Sequence, residues 1–146
     1  MRTAQQRIEQ QLTMLFRRAQ RVHIMGTQEG MDLDRSAYAI LCRLDDEGPQ
    51  RLGALASVFG LDPSTITRQV QSLERAGLAE RSTDEHDRRV SVLSLSEAGL
   101  AAVQATRQHR RGQLHELLAD WSEDDVGAFA ALLERFNDSL DRMPEV

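Results

Sequence analysis

The 146-residue chain has no lysine, one cysteine, one tryptophan and one tyrosine, and only 4% of it is aromatic. The single cysteine, Cys42, forbids an intrachain disulfide. No apolar run approaches the roughly 18 residues a membrane-crossing helix needs. The opening MRTAQQRIEQ is polar, with no apolar stretch leading to a cleavage site, so the expectation is a cytoplasmic protein. All 18 basic residues are arginine. Arginine forks onto phosphate or guanine better than lysine, yet a chain-wide absence of lysine is better read as genome base composition than as function. His23, His86, His109 and His115 show no close ligand spacing with cysteines or carboxylates, so no metal site and no cofactor is expected. A nucleophile with its base, a phosphate-binding glycine loop and a catalytic carboxylate pair are likewise not recognisable, which argues against an enzyme.

What is present describes one globular domain: 40% of residues are hydrophobic and 28% charged. A chain of this length buries roughly 70% of its unfolded surface and needs no disulfide or structural metal to hold a core. The net charge of −5 is unevenly spread. Residues 1–33 carry five arginines against three acids, residues 34–95 eight against ten, and residues 96–146 five against ten. If the chain binds DNA, the central segment must do so by placing arginines well, while the acidic end faces away from phosphate.

Ile8, Leu12, Leu15, Ala19 and Val22, with Phe16 beside them, recur at helical spacing, and Gly26 and Gly30 end that helix. Asp34 is a plausible N-cap for a second helix carrying Ala37, Ile40, Leu41 and Leu44, closed by Gly48 and Pro49. A short third helix spans about 52–59, with Leu55, Ala56 and Phe59 inward and Gly60 free to take a left-handed cap. The fourth has clear punctuation: Asp62 caps it, Pro63 sits at the first position and Gly77 stops it. Its Ile66, Val70 and Leu73 share one face, and Ser64, Arg68, Gln71 and Arg75 the other.

The period then changes, giving two short strands over 78–81 and 90–95, the second with Val90, Val92 or Leu93, and Leu95 inward. The charged link STDEHDRR between them is an exposed hairpin tip. Ser96 caps a long helix to about residue 118, with Leu100, Val103, Leu114 and Leu117 on its apolar side and a potential bend at Gly112. A last helix begins at Ser122, with Asp125 completing an imperfect capping box. Its stripe, Val126, Phe129, Leu133, Phe136 and Leu140, alternates three and four.

The expected fold is therefore mainly α, an α+β winged helix-turn-helix with a two-stranded wing. Residues 34–95 form the DNA-binding core, and residues 1–33 and 96–146 form a helical dimerisation region within a single domain. Ser64, Thr65, Thr67, Arg68 and Gln71 are offered to base edges and phosphates in a major groove. Arg88 and Arg89 supply cations of the kind a narrow minor groove attracts. Glu74 and Arg75, near the helix end, read as ordinary solvated charges. The alternative for the wing is an exposed ion-pair cluster with Asp84, Glu85 and Asp87, which would contribute little.

DEHDRRVSVLSLSEAG, residues 84–99, resembles the signature of the multiple-antibiotic-resistance regulator (MarR) family: Asp-x-Arg, a strand, then Leu-Ser/Thr-x-x-Gly. LDPSTITRQVQSLERAGL, residues 61–78, is similar to that family's recognition helix, and the resemblance covers nearly the whole chain. It implies that Arg89 enters the minor groove, that Asp87 holds it, and that Arg88 sits nearer the phosphates. It also implies a dimerisation layer from the first and last helices, assigned to Ile8, Leu12, Leu15, Val126, Phe129, Leu133, Phe136 and Leu140. A two-fold dimer is the economical way to cover such helices.

The reading that follows is a homodimeric regulator, repressor rather than activator, on an inverted-repeat double-stranded operator. Small aromatic or anionic effectors bind that family where the dimer layer meets the winged helix, which points to Arg17, His23, Tyr38 and Trp121. Cys42 lies in the second helix, whereas the family's oxidant-sensing cysteine lies in the first, where this chain has LTMLF at 12–16. It reads as a packing residue, with thiol-based sensing the minority alternative. The rival of another class is a protein-interaction module without an operator, which the polar face of the fourth helix disfavours, since such a surface is richer in exposed aromatics and methionines.

Overall fold

The computed structural model describes residues 1–21 and 35–144. They fall into two compact units, Met1–Arg110 and Arg111–Val146. The first holds α1 (Ala4–Arg21), α2 (Arg35–Glu47), β1 (Gln50–Arg51), α3 (Leu52–Phe59), α4 (Pro63–Arg75), β2 (Ala79–Thr83), β3 (Ser91–Leu95) and most of α5 (Glu97–Leu117). The second holds the end of α5 and α6 (Glu123–Asp141). Val22, His23, Gly26, Gly30 and Asp34 lie outside the described residues.

The core of the first unit is the set of apolar faces legible in the sequence. Ile40 and Leu41 of α2, Leu55 of α3, Val70 and Leu73 of α4, Leu93 of β3 and Val103 of α5 are fully buried. Each such side chain contributes about 1.5–3 kcal/mol by leaving water. Ala56 and Phe59 pack at the margin of this cluster, half-buried.

The turns follow from local chemistry. Gly60 closes α3 at φ 60°, a left-handed conformation that costs glycine nothing, and Leu61 N–H reaches back to Ala56 O at 3.0 Å. Asp62 then accepts from Thr65 N–H at 2.8 Å, and Pro63 occupies the position where no donor is needed. The three-residue gap from Gly60 to Asp62 is what makes α3 and α4 a tight pair.

The wing hairpin pairs Ala79 with Leu95 through Thr83 with Ser91. A third strand, which periodicity does not reveal, joins its inner edge: Gln50 and Arg51 pair with Leu93 and Val92, giving the antiparallel order β1-β3-β2. Two residues carry no alternation to read, so β1 was invisible before folding. Leu93 is the fully buried residue of β3, with Leu95 partly buried on the same alternation, while Val92 has the opposite parity and Val90 lies before the strand.

Ser96 joins hairpin to helix. Its hydroxyl donates to Gly77 O at 2.7 Å and accepts from Gly99 N–H at 3.0 Å. Gly99 is buried against β2's approach: a Cβ there would stand 1.9 Å from the Leu78 carbonyl oxygen. Further along α5, Arg107 bridges Asp45 and Asp46 of α2. The helix continues unbroken through Gly112. Of its expected apolar side, Val103 is fully buried, whereas Leu100, Leu114 and Leu117 are exposed; the other buried residues of the helix are Gly99 and Thr106.

In the second unit, Ser122 caps α6 by accepting from Asp125 N–H at 3.1 Å. Glu123, Asp124 and Asp125 complement the positive end of the helix dipole. Trp121 meets Phe129 edge-on, with ring centroids 5.5 Å apart. No α6 residue is buried within the chain, and Phe129, Leu132, Leu133, Phe136 and Leu140 all face outward as apolar surface.

Candidate nucleic-acid interface

The second helix of the α3–α4 pair presents its polar face to solvent. Ser64, Arg68, Gln71 and Arg75 are exposed, and Thr65 and Thr67 half-buried, while Ile66, Val70 and Leu73 anchor the opposite side. The Ser64 hydroxyl donates to Asp62 at 2.6 Å and the Thr67 hydroxyl to Pro63 O at 2.7 Å, so both oxygens retain lone pairs for a donor. Among the described residues, the Arg68 and Gln71 side chains make no hydrogen bond or ion pair, and their donors are unspent. The Asp62 carboxyl is held below its ordinary value by the Ser64 hydroxyl first and the Thr65 amide second. It therefore remains charged while it caps the helix.

In the wing, Asp87 accepts from Arg89 three times: backbone N–H at 3.0 Å, Nε at 3.2 Å and Nη2 at 3.4 Å. The Arg89 hydrogen bonds hold the Asp87 carboxyl below the usual carboxylate range. The Arg89 side chain is 91% exposed, a guanidinium held by its rear edge and open in front. Arg88 is exposed and makes no ion pair among the described residues. Asp84 does not pair with the wing arginines. It accepts from His86 and Asp87 N–H groups at 2.8 and 3.2 Å and from Arg51 Nε at 2.9 Å.

Two participants escaped sequence reasoning. Arg51 precedes α3 in the chain and becomes a neighbour of the wing only through the β1–β3 pairing. Glu74 is not a simple solvated charge, because it accepts from Arg81 Nε at 2.7 Å and ties β2 to the end of α4. No local signal marks either pair, since the partners are distant in sequence or lie on different elements. Arg75, beside it, is exposed.

A crevice of about 710 Å³ opens in the first unit, lined among others by Phe16, Tyr38, Cys42, Arg43, Phe59 and Arg110. The Arg110 guanidinium lies 4.4 Å from the centre of the Tyr38 ring. Burial, with Cys42 alongside, pushes the Tyr38 hydroxyl up to about 12. That hydroxyl and Arg43 Nε are buried without hydrogen-bond partners among the described residues. Of the four effector residues expected from the sequence, Tyr38 alone lines this crevice. Arg17 borders a separate groove along α1 with Gln6, Gln10 and Thr13, Trp121 belongs to the second unit, and His23 is outside the described residues. Cys42 and Arg43 were within reach of helical spacing, lying four and five residues beyond Tyr38 on α2.

A capped helix with an unspent polar face, set by a tight turn and flanked by an arginine-tipped hairpin, defines a winged helix-turn-helix protein of the DNA-binding class. The sequence model of the MarR family matches residues 33–91. Over 130 residues the chain is 37% identical to the uncharacterized HTH-type transcriptional regulator YxaD of Bacillus subtilis (strain 168), covering 89% of this chain and 90% of the relative. The chain belongs to the MarR family and is a DNA-binding transcriptional regulator.

Solved structures agree on the fold. The PcaV transcriptional regulator of Streptomyces coelicolor, determined with its natural ligand, is 28% identical with a TM-score of 0.62, covering 86% of this chain and 91% of that one. FabT of Streptococcus pneumoniae, determined in complex with DNA, superposes with a TM-score of 0.75 at 21% identity, covering 93% and 96%. Among the described residues no helix is long and apolar enough to cross a membrane.

Proposed function

We propose that two copies of this chain bind an inverted-repeat operator and repress transcription, and that a small aromatic or anionic ligand releases them. The observation that carries the reading is the set of unspent donors on the two elements: the Arg68 and Gln71 side chains on α4, Arg88 unpaired among the described residues, and Arg89 braced by Asp87 yet 91% exposed. Ser64, Thr65, Thr67, Arg68 and Gln71 read the major groove, and the Asp87–Arg89 pair offers its cation to the flanking minor groove.

The apolar face of α6 supports the dimer. Phe129, Leu133, Phe136 and Leu140, together with Ile8 and Leu15 of α1, are exposed in the single chain, while Leu12 and Val126 are half-covered. Apolar side chains left exposed along each of these helices favour a partner, and a second copy makes the two reading helices equivalent at about 34 Å, one turn of DNA. Repression then follows from occlusion of the promoter.

The effector reading rests on the crevice, where Tyr38 and Arg43 hold unused donors within a largely apolar lining. A carboxylate or phenolate that accepts from them while its ring lies against Phe16 and Phe59 shifts the population only if it prefers the non-binding spacing of the two heads. Titration calorimetry with a panel of aromatic carboxylates tests this, with weaker binding expected for Tyr38→Phe and identical binding contradicting it.

The function itself is tested by titrating the protein into its own upstream intergenic DNA and a scrambled duplex at physiological salt. Preferential binding with two chains per site supports the proposal. Equal, weak binding to both duplexes overturns it.

A further inference from the structure

Three features of the wing bear on how its arginine is held in place. The third strand is short: β1 ends at Arg51, opposite Val92, whereas the hairpin continues through the Thr83–Ser91 pair. Beyond Val92 the wing is therefore a two-stranded ribbon, a form that twists strongly and is marginally stable on its own. Its root is secured by Glu74 and Arg81, which link α4 to β2.

At the outer end, Asp84 organises the turn. It accepts from the N–H groups of His86 and Asp87, and its own N–H donates to Val90 O at 2.9 Å. Val90 N–H in turn donates to Asp87 O at 3.0 Å. Asp87, the residue that braces Arg89, thus takes its orientation from the turn that Asp84 closes. The one side chain from outside the hairpin that reaches this turn among the described residues is Arg51, whose Nε donates to Asp84 Oδ2 at 2.9 Å. Cross-strand register explains the reach. Arg51, Val92 and Ser82 stand opposite one another and share a face, and Asp84 is the next residue of that parity along the outer strand.

We propose that Arg51 is a positioning residue of the DNA-binding wing, acting through Asp84 to fix the turn from which Asp87 presents Arg89. The inference rests on the wing being a DNA-contacting element. Its competitor is direct use of Arg51 as a phosphate contact, since the side chain is 56% exposed and only its Nε is spent on Asp84. The two roles make opposite predictions at Asp84. An acid near DNA repels phosphate, so if Arg51 contacts DNA itself, neutralising Asp84 tightens binding. If Arg51 acts through Asp84, neutralising the acid weakens binding despite removing a negative charge from the DNA side.

Asp84→Asn is the informative variant because the amide oxygen can still accept from the His86 and Asp87 N–H groups while the charge on which Arg51 docks is lost. Operator affinity is measured by fluorescence anisotropy for wild type, Arg51→Ala, Asp84→Asn, the double variant and Arg89→Ala, each with its thermal midpoint. The positioning role predicts that Arg51→Ala and Asp84→Asn each weaken binding by about fivefold, that the double variant is no worse than Arg51→Ala alone, and that the midpoints match wild type. Rescue of Arg51→Ala by Arg51→Lys supports it further. Tighter binding by Asp84→Asn, independent losses that multiply in the double variant, or unchanged affinity in Arg51→Ala while Arg89→Ala loses binding each overturn it. If Arg89→Ala binds like wild type, the wing reading falls and the role of Arg51 falls with it.

Discussion

Replacing Gly99 with alanine probes the joint between the wing and α5. The added Cβ would lie 1.9 Å from the Leu78 carbonyl oxygen, 2.8 Å from Leu95 Cδ1 and 3.0 Å from the Leu78 carbonyl carbon. Real Cβ atoms essentially never approach a heavy atom within 3.0 Å, and the Leu78 oxygen is backbone and cannot rotate aside. Relief requires a shift of about an ångström between α5 and the segment entering β2, which strains the Ser96 bonds to Gly77 and Gly99 and the Ser96 N–H to Leu78 O bond of 3.2 Å. In a helix interior the substitution otherwise gains about 1 kcal/mol from propensity. Overpacking a tight joint costs about 1–3 kcal/mol and more where backbone must move. The expected net is a loss of about 2 kcal/mol, seen in thermal denaturation at matched protein concentration as a midpoint lowered by roughly 4–8 °C for a chain of this size. A midpoint equal to or above wild type would refute the close approach on which the argument depends.

Leu93→Ala empties the one fully buried position of β3 and should cost about 2–5 kcal/mol, read as a lower denaturant midpoint with unchanged slope. Tyr38 is the chain's only tyrosine, so tyrosinate absorbance reports it directly. Its ionisation should occur near pH 12 rather than near the ordinary 10.0, and since the folded value is the higher one, its stabilising effect is complete below pH 10.0 and fades as pH rises toward 12. Ionisation near 10.0 in the native protein would contradict the burial. Asp62 behaves in the opposite sense: its folded value lies below 3.8, so the cap stabilises above that pH and the effect is lost as pH falls through the lower folded value. Asp62→Ala should therefore flatten the acid limb of the stability profile measured by circular dichroism.

Local signals carried most of the fold. Asp62, Pro63 and Gly77 bound α4 because capping is a matter of two or three adjacent residues, and the Ile66, Val70 and Leu73 face follows from helical period alone. The same logic located α3, with Gly60 at its end. What escaped was set by tertiary pairing. β1 is too short to show alternation, and Arg51 meets Asp84, 33 residues away, only once the sheet forms. The apolar residues of α5 beyond Val103 read as core from their period, yet Leu114 and Leu117 are exposed in the single chain, because periodicity marks a face without saying what covers it.

The same distinction applies to the candidate sites. The polar face of α4 and the Asp87–Arg89 spacing are legible because they lie within one element. The crevice is built from α1, α2, α3 and α5, so aromatic and cationic character along the chain could not show which residues would line it. Of the four residues the sequence suggested, Tyr38 lines it, with Arg110 over its ring.

The most direct test of the account is the salt dependence of operator binding by wild type and Arg89→Ala. Each phosphate-neutralising cation contributes about 1 to the log–log slope, and a dimer carries two wings, so the account predicts weaker binding by the variant and a slope shallower by about 2. Equal affinity and equal slope in the two proteins would contradict it.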